Sequence, residues 1–119
     1  MNFDEAITAH SQWKMRLQAV IHGTSKEVLD PAVVGLDSKC VLGQWIHGEA
    51  KQYAGLPEYA ALVKEHAHLH SCAADTLRLA QSGQTEKAET TLATGGTFID
   101  ASIRTINAIR HLRKKVEKA

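Results

Sequence analysis

The sequence is sparing with several residues that a chain of 119 residues usually draws on. It has two cysteines, two prolines and 5% aromatic residues, and its formal net charge is only +1. So few aromatics supply no stacking platform, and the single basic run, Arg110 to Lys115, leaves no electrostatic footprint for nucleic acid. That run reads as a solvated helix end, favoured at the negative pole of the helix dipole. No apolar stretch approaches the roughly 20 residues that a membrane span needs. The first residues, Met-Asn-Phe-Asp-Glu-Ala, lack the charged and apolar pattern of a signal peptide. These absences predict a cytoplasmic chain with no nucleic-acid or membrane partner, in which Cys40 and Cys72 are thiols rather than a disulfide.

What is present is helical periodicity and histidine. Hydrophobic residues make up 44% and charged residues 23%, the balance of one globular domain spanning residues 1–119, with no repeat, low-complexity tract or linker to divide it. The stretch 56–82 reads as a long central helix, with Pro57 in its first turn, where a missing N–H costs nothing. Tyr59, Leu62, Val63, Ala73, Leu77 and Ala80 recur at the spacing of a buried stripe. At about 100° per residue, His66 and His70 fall inside that stripe and His68 falls outside it.

Asn2 to His22 forms the first helical segment, with Asp4 and Glu5 at its positive pole and Gly23 at its end. Its stripe, from Phe3 through Ala6, Ile7, Trp13 and Leu17 to Ile21, also holds His10. Thr24 to Asp37 is irregular, punctuated by Pro31 and Gly35. Cys40-Val-Leu-Gly-Gln-Trp-Ile follows as a short helical turn ended by Gly48, in which Trp45 and Ile46 anchor and Gly43 permits a close approach. Asp37 is placed to cap this turn. After Ser82-Gly83-Gln84, Thr85 has the chemistry of an N-cap. Leu92, Phe98, Ile99, Ile103, Ile106, Ile109 and Val116 then mark the last helical segment, interrupted at Gly95-Gly96 by a kink or a break. Three long helices and one short piece predict an all-α fold, an antiparallel four-helix bundle whose short helical turn carries the cysteine.

Three histidines facing the core require partners, because a buried ring nitrogen without one costs about 1–3 kcal/mol. A metal ion is one answer. Imidazole and thiolate are the ligands zinc prefers, and a spacing of four on a helix lets two rings reach one ion. The candidate site is therefore His10, Cys40, His66 and His70. Three histidines and one cysteine close a four-coordinate shell, which favours a structural or sensing role over a hydrolytic one. Trp13 and Trp45 are placed to wall it, whereas His22, His47, His68 and His111 are expected on the surface. Cys72 lies off the centre of the stripe.

A di-iron carboxylate enzyme would need paired Glu-x-x-His motifs, and only Glu65 to His68 has that spacing. A zinc hydrolase would need His-Glu-x-x-His or an open coordination position, and neither is evident. No enzymatic activity is expected.

In this order the motifs are specific. The chain resembles the chemoreceptor zinc-binding domain, a bacterial cytoplasmic four-helix bundle attached to many chemoreceptors and some diguanylate cyclases. His10 stands 30 residues before Cys40. Cys40-Val-Leu-Gly-Gln-Trp-Ile follows the family's Cys-x-Leu/Phe-Gly-x-Trp pattern. Leu56-Pro-Glu-Tyr matches the lead-in to the next helix, His66-Ala-His-Leu-His70 the paired histidines, and Phe98 with Ala101-Ser102 the last helix. The resemblance implies Zn²⁺ held by His10, Cys40, His66 and His70, and a role in chemotaxis or cyclic-di-GMP signalling. It implies sensing of zinc itself, or of hypochlorous acid through a redox-reactive Cys40. It also implies a homodimer serving a chemoreceptor or diguanylate cyclase, with Phe98, Ile99 and Ile103 available for the contact. A purely structural zinc-stapled interaction module is the competing reading.

Overall fold

The computed structural model describes residues 2–25 and 28–117. Helix α1 runs Phe3–Ile21, its first turn closed by Asn2, whose Oδ1 accepts the Glu5 N–H at 3.1 Å. Gly23, at φ +70°, ends it in the left-handed conformation that other residues adopt only with strain. Asp30 caps the one-turn helix α2, Pro31–Val34, and α3 spans Val41–His47. A 3₁₀ turn at Glu49–Tyr53 leads to the long helix α4, Pro57–Gln81. Helices α5, Thr85–Leu92, and α6, Thr97–Val116, complete the chain. All the regular structure among the described residues is helical.

Two core clusters fix how these elements lie together. One holds Leu17 of α1, Leu69, Ala73 and Leu77 of α4, Leu92 of α5, and Phe98 and Ala101 of α6. The other holds Ala6 of α1, Leu42 and Ile46 of α3, Leu62 of α4, and Ala108, Ile109 and Leu112 of α6. Chain numbers therefore rise together along α1 and α4 and fall along α6. The return between α1 and α4 is made by α2, α3 and the 3₁₀ turn, a column broken into short pieces. It is tied to α4 at both levels. Val34 accepts from His70, and the Tyr59 hydroxyl donates to the Ile46 carbonyl at 2.8 Å. Opposite ends of the chain meet where Arg113 pairs with Asp4 at 2.6 Å. This pair is exposed, so it adds little beside the apolar clusters.

Three local expectations are corrected, and the choice left open at Gly95-Gly96 is decided. The Gly95-Gly96 interruption is a full break, with Gly95 at φ +80°. A Cβ at Gly96 would stand 2.3 Å from the Thr90 carbonyl oxygen, so the chain turns there with no room for a side chain. Thr85 is the first residue of α5 rather than its cap, a position taken by Gln84 without a side-chain bond. Asp37 does not cap α3, because its carboxylate lies 3.5 Å from His47 Nε2 while Cys40 Sγ accepts the Gly43 N–H at 3.3 Å. Phe98 is fully buried and cannot serve a contact with another chain, whereas Ile103 is 54% exposed.

Candidate metal centre

The site lies at mid-height, between the two apolar clusters, where α1, α4 and the start of α3 face one another. His10 enters from α1, His66 and His70 from successive turns of α4, and Cys40 from the N-terminus of α3. All three imidazoles are buried and the thiol is partly exposed. One ligand atom from each residue lies within 4.8 Å of the other three. Cys40 Sγ is 3.2 Å from His66 Nε2, 3.6 Å from His70 Nε2 and 3.9 Å from His10 Nε2. The two Nε2 atoms on α4 are 3.0 Å apart.

Hydrogen bonds behind the rings aim them. His10 Nδ1–H donates to the Ala6 carbonyl one turn back at 2.7 Å, and His70 Nδ1–H donates to the Val34 carbonyl at 2.8 Å. Each carbonyl can only accept, so the proton sits on Nδ1 and the Nε2 lone pair points inward. His66 Nδ1 is buried with no hydrogen-bond partner. The imidazole rings stand edge to face, His66 against His70 at 4.6 Å and His10 against His66 at 5.2 Å between centroids. Trp13 approaches His70 at 6.4 Å and forms one wall, whereas the ring of Trp45 packs on Phe3 and Tyr53.

Burial sets the protonation states. It holds His66 far below the ordinary histidine range, at about 3, with His70, His10 and His47 lowering it further. Burial also lowers His10, against the raising effect of its bond to Ala6. Neutral imidazole is the form that ligates a metal. Burial pushes the Cys40 thiol up, partly offset by the Gly43 N–H. Without a cation the sulfur therefore keeps its proton; a divalent ion reverses that preference, since a coordinating thiol is deprotonated outright.

These donors fit zinc. Bond lengths of about 2.3 Å to sulfur and 2.0–2.1 Å to nitrogen, in a tetrahedron, require ligand separations of about 3.6 Å for S···N and 3.3 Å for N···N. The observed spacings scatter around those edges. Three inward ring nitrogens and one thiol gathered about one point have little else to share, because a lone proton satisfies only one pair of them.

The four residues expected from sequence are thus brought together, and the other histidines are not. His22 pairs with Glu89 at 2.6 Å on the surface, and His47, His68 and His111 are exposed. Cys72 is buried in the first apolar cluster, its Sγ 3.5 Å from His68 Nε2. Sequence reasoning missed the Ala6 and Val34 carbonyls, because a backbone acceptor leaves no mark in residue type.

With the geometry in place, comparison with known proteins gives one match. Residues 10–77, more than half of the chain, match the family described as the Chemoreceptor zinc-binding domain. No individual curated protein matches, and no solved structure does.

Proposed function

The chain belongs to the chemoreceptor zinc-binding domain family, and from that premise we propose that it is a bacterial regulatory domain sensing zinc or an oxidant through Cys40 and three histidines. Zinc is the ion that names the family, and the cluster of His10, Cys40, His66 and His70 suits it. In this reading residues 1–119 act as one cytoplasmic unit, without catalysis, and report to a chemoreceptor or diguanylate cyclase as a homodimer. The observation that carries it is the convergence of four donor atoms from three separate segments within 4.8 Å.

Each residue has a distinct part. His10, His66 and His70 supply nitrogen donors from rigid helices. Zinc, when bound, keeps the Cys40 sulfur as thiolate at neutral pH. Cys40 is also the cap of α3, so its sulfur helps hold the start of a short helix to the centre. Hypochlorous acid would react at that sulfur. An S–Cl bond forms as hydroxide leaves; water then displaces chloride and gives up a proton to that hydroxide, leaving sulfenic acid. The modified sulfur is a poorer ligand and a poorer cap, and α3 is the element released.

The zinc-loaded chain, treated with hypochlorous acid or a chelator, tests this by hydrogen exchange and peptide mass spectrometry. Residues 37–47 should lose protection while α1, α4 and α6 keep theirs, with the oxidation on Cys40. Oxidation confined to Cys72 would remove the redox reading. Uniform loss of protection would favour a zinc staple with a structural role only.

A further inference from the structure

A groove of about 450 Å³ runs between α4 and α6, and none of the four metal ligands lines it. Glu58 and Glu65 stand along its α4 side, and Arg104, Asn107 and His111 along its α6 side. One wall is therefore acidic, and the other carries the basic groups and an amide. Register decides which of them are level. The Thr105 hydroxyl donates to the Glu65 carbonyl at 3.0 Å, so Arg104 and Glu65 share a height. Seven residues, about two turns, back along α4 and forward along the antiparallel α6 bring Glu58 level with His111.

These side chains find no answer within the chain. Elsewhere Arg113 pairs with Asp4 and Glu117, Arg78 with Asp75, and His22 with Glu89. Among the described residues, no hydrogen bond or ion pair engages the side chain of Glu58, Glu65, Arg104, Asn107 or His111. Glu58 Oε1 is already shut off from solvent without a donor, a cost that a group from outside the chain would relieve. Ile103, one turn before Asn107 on the same face of α6, is 54% exposed.

Whatever covers this face must set base against the α4 row and acid against the α6 row, at matching heights. A second copy does so by symmetry. A two-fold axis along the groove, parallel to the helices, lays α4 of each copy over α6 of the other and leaves heights unchanged. Glu65 then meets the partner's Arg104 and Glu58 meets the partner's His111, each contact made twice. An axis across the helices would instead lay one carboxylate row on the other.

We infer that the α4–α6 face is the homodimer interface, closed about an axis parallel to these helices by Glu65–Arg104 and Glu58–His111 pairs between copies. This rests on the homodimer reading above and gives it a surface. A ring N–H of His111 supplies the donor that Glu58 Oε1 lacks, and Ile103 adds apolar contact beside the pairs.

Sedimentation velocity of the full zinc-loaded chain, over a concentration series, tests the dimer and its surface separately. The unaltered chain should dimerise. Arg104→Glu and Glu65→Arg should each raise the dimer Kd at least about tenfold, because the two-fold repeats every lost pair. Mixed in equal amounts, the two variants should associate about as well as the unaltered chain, since each then meets the opposite charge. The double variant, with the charges exchanged, should dimerise alone. A monomer throughout the series would overturn the homodimer reading and this interface with it. A dimer indifferent to both substitutions would overturn the interface alone. So would a loss in the single variants that mixing does not restore, because a second chain mends a charge pair between copies and not a damaged fold.

Discussion

The Nε2 atoms of His66 and His70 stand 3.0 Å apart on successive turns of α4, and the His70 ring already commits its Nδ1–H to a hydrogen bond with the Val34 carbonyl. Its Nε2 therefore offers a lone pair toward its neighbour. One proton between the rings satisfies this pair but leaves His10 and Cys40 without a common partner; one cation satisfies all four. The purified chain should therefore carry one zinc per chain by elemental analysis. Cys40→Ala and His66→Ala should each lower its affinity by at least about a hundredfold, since even outer-shell partners of a metal cost ten- to a hundredfold. Undiminished zinc in either variant would place the metal elsewhere.

Removing zinc should cost stability as well as occupancy. A ligand at about a thousand times its Kd stabilises the folded state by about 4 kcal/mol. For a domain of this size that corresponds to a fall in Tm of about 15 °C on chelation. Melting curves with and without chelator, at fixed protein concentration, measure it. A shift of one or two degrees would mean that the apolar clusters alone set the stability and that the centre is nearly stress-free without its ion.

The metal-free domain should have an acid-sensitive fold. Burial holds His66 at about 3 and moves His10 in the same direction, while both titrate near 6.5 when unfolded. Between those values the unfolded chain binds more protons, so stability is full above the unfolded value and is lost as pH falls toward 3. The Cys40 thiol, raised by burial above its ordinary 9.0, acts at the other end, where stability declines as pH rises past that value. Denaturant midpoints of the metal-free chain should therefore peak between about pH 7 and 9. A midpoint that stays flat down to pH 4 would show that the imidazoles are solvated without the ion.

Much of this was legible in the sequence, and for a common reason. Helical period places side chains on a face, so the stripe of α4 exposed the buried rings of His66 and His70 and set His68 apart. Gly43 announced a close approach because only glycine tolerates one. What period does not encode is which atom answers a polar group. Asp37 and Cys40 both had the chemistry to cap α3, and the sulfur took the position while the carboxylate turned to His47. Thr85 had a capping hydroxyl but lies one residue inside the helix. Nor does apolar character alone separate core from contact surface. Phe98 and Ile103 are both large and apolar, yet five residues of helix turn one inward and the other to solvent.

Gly43 gives the sharpest test of how the cysteine is held. A Cβ added there would lie 1.7 Å from the Asp37 carbonyl oxygen and 2.7 Å from its carbon. Both atoms are backbone, so no side-chain rotation relieves the clash, and α3 must move away from the segment before it. Gly43 also donates its N–H to Cys40 Sγ, so a displaced helix carries the sulfur with it. Gly43→Ala should cost about 1–3 kcal/mol, as overpacking does, and weaken zinc binding although no ligand has changed. Gly55→Ala is the matched control, because a Cβ there meets nothing within 4 Å; it should alter stability by less than about 0.5 kcal/mol and leave zinc affinity untouched. Zinc titration and chemical denaturation of the two variants side by side separate local geometry from a general effect of alanine. Equal zinc affinity in both would mean that the thiol reaches the centre without help from the close packing of α3.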